Sequence, residues 1–234
     1  MNLLARLFRP APCLDADAER RLTAWRAQPA PDLTEPLQHT RCVVVDVEST
    51  GLDLKRDRLI AIGACAVCDG KVDLGDSFEV VLRQERVSGK DNILIHGIGG
   101  QAQREGLDPV DALLRFLAYL GKSPLVAYHV AFDQSMINRA LRRHLGFTFK
   151  HDWLDLAYVL PELLPRYART HRALDHWTEL FDIGNFARHS ALADALATAQ
   201  LMQCALPLAR ARAALSYDDW KQLEKAQRWL AGAA

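Results

Sequence analysis

The spacing of apolar positions changes period along the chain, and the changes mark the elements. Val43, Val44 and Val45 make an unbroken β-branched run, the pattern of a buried strand. Residues 58–67 alternate weakly and end at Asp69-Gly70, a strong short hairpin signal, after which residues 71–82 return as a third strand. The first half therefore predicts an antiparallel three-strand meander. Residues 83–107 carry Gly89, Gly97, Gly99, Gly100 and Gly106 and predict a long loop. Helical spacing begins at Asp108, which suits a cap, with Pro109 in the first turn and Asp111 at the positive end of the dipole; this helix runs to about Leu120. Residues 124–128 form a short apolar strand, and Phe132, Met136, Ile137, Ala140 and Leu141 then repeat at helical intervals. A fifth strand is expected at 147–153, with helices at 154–164 and 173–181, Asp155 serving as a cap. SYDDWKQLEKAQRWL closes the chain as an amphipathic helix capped by Ser216, with Trp220 and Trp229 packing inward.

At 234 residues and 50% hydrophobic, the chain can bury one sizeable core. Residues 1–39 read as an extension, with a short polar helix at 15–26 and then AQPAPDLTEPLQ, whose three prolines and lack of periodicity fit a linker. Residues 40–208 are the expected domain and 209–234 a helical tail. The 29 basic and 29 acidic side chains cancel, which neither points to nor excludes a nucleic-acid partner. Five cysteines form no disulfide framework; Cys65 and Cys68 lie three apart in a strand, on opposite faces, and read as thiols rather than a zinc site. MNLLARLFRPAP is broken by Arg6 and Arg9, too short for a signal peptide, and no run approaches the roughly 18 apolar residues of a membrane span. A cytoplasmic setting is the default expectation.

The candidate chemistry starts where the valine run ends. Asp46 and Glu48 are two apart, so in a strand they share a face. Such a pair also marks simply where a strand leaves the core, and other segments must decide between the readings. Side by side, the two carboxylates repel and call for a counter-charge such as a divalent cation with oxygen ligands. Asp133 falls in the first turn of the helix after a short strand. His189 and Asp194 are five apart, about 140° on one continuous helix, and cannot converge there. With Ser190 as N-cap, His189 lies outside the helix, Asp194 projects from its first turn, and both reach one point. Four acids can hold two Mg²⁺ or Mn²⁺ about 4 Å apart, the arrangement that clamps attacking and leaving oxygens in phosphodiester cleavage. A neutral histidine beside them can accept the proton of an attacking water.

VVVDVESTGL followed by DRLIAIGA, then VAYHVAFD, then RHSALADALATAQL resemble the DEDDh family of 3′ to 5′ exonucleases, which includes the proofreading subunit of bacterial DNA polymerase III, ribonuclease T and oligoribonuclease. The resemblance spans roughly residues 40–206. It implies an α/β, ribonuclease H-like fold: a five-strand mixed sheet, an antiparallel meander followed by parallel strands, flanked by helices. It implies Asp46, Glu48, Asp133 and Asp194 as ligands of two Mg²⁺ or Mn²⁺, His189 as general base, and Glu48, Thr50, Gly51, Leu52, His96 and His189 against the terminal nucleotide. The implied partners are single-stranded or frayed 3′ ends of DNA or RNA, a DNA polymerase or a second copy of the chain, and no membrane. Tyr128-His129 departs from the family's common His-Asn before the third acid, and Ser49 stands where threonine is frequent. Two other function classes fit the same residues: a non-catalytic module binding nucleic-acid ends or a polymerase, and a phosphoesterase acting on small nucleotides.

Overall fold

The computed structural model describes residues 12–185 and 187–232; the N-terminal MNLLARLFRPA lies outside them. Five strands, β1 (Cys42–Ser49), β2 (Leu59–Cys68), β3 (Lys71–Val81), β4 (Leu125–Ala127) and β5 (Trp153–Asp155), form one sheet in the order β3-β2-β1-β4-β5. β1, β2 and β3 pair antiparallel. β4 and β5 extend β1 in parallel. The meander turns at Asp69 (φ 51°) and Gly70 (φ 69°), the two left-handed residues that a tight hairpin between right-twisted strands requires.

Nine helices are described: α1 (Ala16–Arg26), α2 (Lys90–His96), α3 (Gly100–Glu105), α4 (Pro109–Leu120), α5 (Val130–His144), α6 (Leu156–Leu163), α7 (Leu174–Leu180), α8 (Ala191–Arg210) and α9 (Tyr217–Gly232). The alternation of β1 sorts them into two layers. Val43, Val45 and Val47 face a core made with α1, α4 and α5, whereas Cys42 and Val44 face one made with α6, α8 and α9. By the same alternation Asp46 and Glu48 leave the strand on the α8 side. Every residue from Cys42 to Val45 is buried, since β1 is paired on both edges and covered on both faces.

Both ends of the described chain pack on this sheet. Leu22 and Trp25 of α1 are buried against α4, and the Trp25 indole N–H donates to the Gly121 carbonyl at 2.6 Å. Tyr217 and Trp220 of α9 are buried in the second core, and the Leu37 N–H donates to the Leu215 carbonyl at 2.8 Å, tying the proline-rich segment to the tail. The division expected at 208/209 falls inside α8.

Three expectations are corrected. Residues 83–107 contain α2 and α3, with glycines at their ends: Gly97, left-handed at φ 71°, closes α2, and Gly99 precedes α3. The fifth strand is three residues at Trp153–Asp155 rather than 147–153, because Phe147 and Phe149 turn away to pack on Trp25. Trp229 is 73% exposed while Trp220 is buried; nine residues along an α-helix is a half-turn out of phase, so one helix cannot bury both on the same face.

Candidate active site

Three of the expected acids meet at the carboxyl end of β1. Asp46, Glu48 and Asp194 each offer a carboxylate oxygen, all within 4.8 Å of one another. Asp46 and Glu48 arrive there by the two-residue period of β1. Asp194 arrives because α8 begins directly on β2: Gly63 is the register partner of Asp46, and a Cβ on Gly63 would lie 2.1 Å from the Leu192 nitrogen and 2.2 Å from the Ala191 carbonyl carbon. A glycine inside an apolar strand signals this kind of close backbone approach. The IAIGA run carries that signal, but reading it for the acids alone passes over it.

Asp133 comes from the first turn of α5 and is buried beside β1. α5 is entered through His129, left-handed at φ 64°, a conformation in which Asn and His are enriched among non-glycine residues. The departure at Tyr128-His129 is thus compatible with the turn. Both side chains reach the Arg172 carbonyl, Tyr128 through its hydroxyl at 3.0 Å and His129 through Nε2 at 3.2 Å. Asp155 holds the same turn from behind. It accepts from the His129 N–H at 3.0 Å, the Val130 N–H at 3.2 Å and the Ala157 N–H at 3.1 Å, so it caps α6 and α5 together. Arg228 of α9 completes this buried carboxylate at 3.1 Å.

The charges explain one another. Burial, followed by the negative charges of Asp133, Asp194 and Glu48, holds the Asp46 carboxyl well above the usual carboxylate range, and Arg188 opposes this. Burial and Asp194 push Glu48 up to about 8. Asp133 is raised chiefly by burial, with Asp155 and Glu48 adding to it. The protein answers this crowding with one side chain: Arg188 is ion-paired with Asp194 and, through Nε at 2.6 Å, with Asp175. Asn185 also donates to Asp194 at 2.6 Å. Neither Arg188 nor Asn185 is conspicuous in sequence, since each matters only through its contact with Asp194.

Ser190 is the N-cap of α8, so His189 lies outside the helix, as the His-x₄-Asp spacing required. His189 is left-handed at φ 63°, and its backbone N–H donates to the Asp194 carboxylate at 3.1 Å. The imidazole is exposed and has no hydrogen-bond partner among the described residues. Histidine and acid are thus locked together through the main chain while the ring stays available.

Thr50, Gly51 and Leu52 follow β1 in a turn braced by Asp57, whose carboxylate accepts from the Thr50 hydroxyl and the Asp53 N–H, each at 2.8 Å. Leu52 is 85% exposed at the rim. His96 is different: it is buried, Nδ1 accepts from the Ile98 N–H at 2.9 Å and Nε2 lies 2.8 Å from Asn92 Oδ1. Its ring is committed to the loop, and the exposed side chains there are Leu94 and Ile95. The ring expected against the terminal nucleotide is thus held inside the loop by Asn92 and Ile98.

A cluster of carboxylates offering oxygen donors alone, with burial and mutual repulsion acting on Asp46 and Glu48, fits a divalent cation. A family model described as an exonuclease (RNase_T) matches residues 43–202. A DNA polymerase III of the PolC type from Thermotoga petrophila is 29% identical over 159 residues, covering 68% of this chain and 11% of the polymerase. The chain thus spans about a tenth of that relative's length. Among solved structures, E. coli exonuclease I in complex with a dT13 oligonucleotide superposes with a TM-score of 0.62 at 18% identity, over 74% of this chain and 42% of that one. Exonuclease X in complex with 5′ overhanging duplex DNA gives 0.59 at 17%, over 78% and 99%. These two share the fold.

Proposed function

The chain belongs to the RNase_T exonuclease family, and from that premise we propose that it is a 3′ to 5′ exonuclease releasing nucleoside 5′-monophosphates from single-stranded or frayed 3′ ends. The observation that carries the reading is the convergence of Asp46, Glu48 and Asp194 within 4.8 Å beside an exposed His189 anchored to Asp194. Asp46, Glu48 and Asp194, with Asp133 behind them, would hold two Mg²⁺ or Mn²⁺. When bound, such cations neutralise the carboxylates, polarise the phosphoryl oxygens and make water a stronger nucleophile. His189 takes one proton from the attacking water, the new P–O bond forms as the P–O3′ bond breaks, and the departing 3′ oxygen takes a proton from solvent water to leave the shortened strand with a 3′ hydroxyl. The main-chain bond from His189 to Asp194 keeps the base at a fixed offset from the acids. Thr50, Gly51 and Leu52, with the backbone near His96, would line the terminal nucleotide, and exposed Leu52 and Ile95 offer apolar surface to a base of any identity. Residues 40–208 are taken as the catalytic domain in a cytoplasmic setting. The PolC-type relatives make a DNA polymerase a reasonable partner.

The test is digestion of matched single-stranded DNA and RNA oligonucleotides with Mg²⁺ or Mn²⁺, comparing the wild type with Asp46→Ala and His189→Ala. Stepwise shortening from the 3′ end, lost in both variants, is the expected outcome. Failure to shorten either polymer with either metal would refute the proposal.

A further inference from the structure

On the other side of the turn that carries Thr50, Gly51 and Leu52 lies a cavity of about 720 Å³ with an unbalanced charge. Seven Lys and Arg side chains line it against two carboxylates, in a chain whose charges cancel overall. Its floor is apolar, made by Leu59, Leu82, Met136 and Ala140, and its rim is cationic. The cations come from three separate segments: Lys55, Arg56 and Arg58 from the turn before β2, Arg83 after β3, and Arg139, Arg142 and Arg143 from α5.

Some of these charges are already used. Arg83 pairs with Asp108, and Arg139 donates to the Leu54 and Lys55 carbonyls, which fastens the turn to α5. Arg56 pairs with Asp53, and Asp57, whose carboxylate accepts from the Thr50 hydroxyl and the Asp53 N–H, forms no ion pair with the rim among the described residues. Lys55, Arg142 and Arg143 have no side-chain hydrogen-bond or ion-pair partner among the described residues. Neighbouring His144 has its pKa lowered by burial first and by Arg143 second, with Asp108 and Glu85 opposing. Unpaired cations around a walled, partly apolar cavity are suited to a polyanion that also carries flat apolar groups, which describes a nucleic-acid strand.

The position fits a strand held at two points. α5 carries Asp133 in its first turn and Arg142 and Arg143 nine and ten residues later, about 14 Å further along the axis. We propose that this cavity is a second binding site, for the phosphates of the same nucleic-acid strand some nucleotides from the end being cleaved. The inference rests on the exonuclease reading for the direction of the strand. The site separates holding from cutting: the cavity shares no residue with the acid cluster, so the strand is gripped by cations other than Arg188, which is already paired with Asp194.

The test is fluorescence anisotropy with labelled dT4 and dT16 in EDTA across a salt series, for the wild type, Arg142→Glu with Arg143→Glu, and Arg142→Lys with Arg143→Lys. The glutamate variant is expected to bind dT16 at least about tenfold more weakly, with a salt slope reduced by about 1.4 for two lost single-strand phosphate contacts. Binding of dT4 stays within about twofold of the wild type, and the lysine variant keeps the wild-type dT16 affinity and slope. Unchanged dT16 binding in the glutamate variant overturns the proposal, and so does an equal loss for both lengths. Because the readout needs no turnover, it is independent of the digestion assay: a wild type that binds dT16 through the cavity yet shortens nothing would sink the exonuclease reading and leave the site standing.

Discussion

Gly63→Ala is the substitution that most directly probes how the acids are brought together. The new methyl carbon would lie 2.1 Å from the Leu192 nitrogen, whereas ordinary contacts begin near 3.4 Å. The start of α8 would have to retreat by about 1.3 Å, the difference between these distances. Leu192 is two residues before Asp194, and Gly63 is opposite Asp46, so the retreat opens the distance between the acids themselves. Overpacking of this kind costs about 1–3 kcal/mol of stability. A misplacement near 1 Å costs on the order of a hundredfold in rate when a reaction depends on converging groups. The assays are thermal unfolding, Mn²⁺ titration calorimetry and the rate of oligonucleotide shortening. Gly75→Ala is the control, since its added carbon would meet only the Asp73 carboxylate at 3.2 Å, and it should leave all three unchanged. A Gly63→Ala protein with wild-type Mn²⁺ affinity and rate would refute the seating of α8 on the β2 backbone as the device that positions Asp194.

Further outcomes are expected from the same geometry. His189→Ala should lower the shortening rate by about 10²–10⁴-fold while leaving Mn²⁺ affinity by calorimetry near the wild-type value, because the imidazole is not among the clustered ligands. Arg188→Ala should tighten Mn²⁺ binding several-fold, since the guanidinium competes for Asp194; weaker binding would show instead that Arg188 organises the site. Glu48 has a folded pKa near 8, above its ordinary value of 4.5, so between these values the folded state holds more protons than the unfolded chain and loses stability as pH rises. The melting temperature of the chelated protein should therefore fall from pH 5 to pH 8, Glu48→Gln should flatten the fall, and Mn²⁺ should reverse it. Trp220→Ala should cost about 3–5 kcal/mol in denaturant unfolding, whereas Trp229→Ala should stay within about 0.5 kcal/mol.

Local chemistry alone determined much of this protein. The valine run, the Asp69-Gly70 turn and the Asp108-Pro109 helix start were legible because each depends on neighbours in the chain. Part of the candidate site's geometry was legible too: strand period puts Asp46 with Glu48, and an N-cap at Ser190 frees His189 from the helix that carries Asp194. What sequence could not decide involves partners distant in the chain. Trp25 drew Phe147 and Phe149 out of the expected strand, and phase along α9 buried Trp220 while exposing Trp229. The His96 ring was taken up by Asn92 and Ile98. Asp155 capped α6 as its position predicted, but its bonds to the start of α5 and to Arg228, like the roles of Arg188 and Gly63, came only from tertiary structure. The same holds for charge: the sum of charges along a chain carries no positional information, and only the tertiary structure separates an acidic cluster from a basic cavity across a single turn.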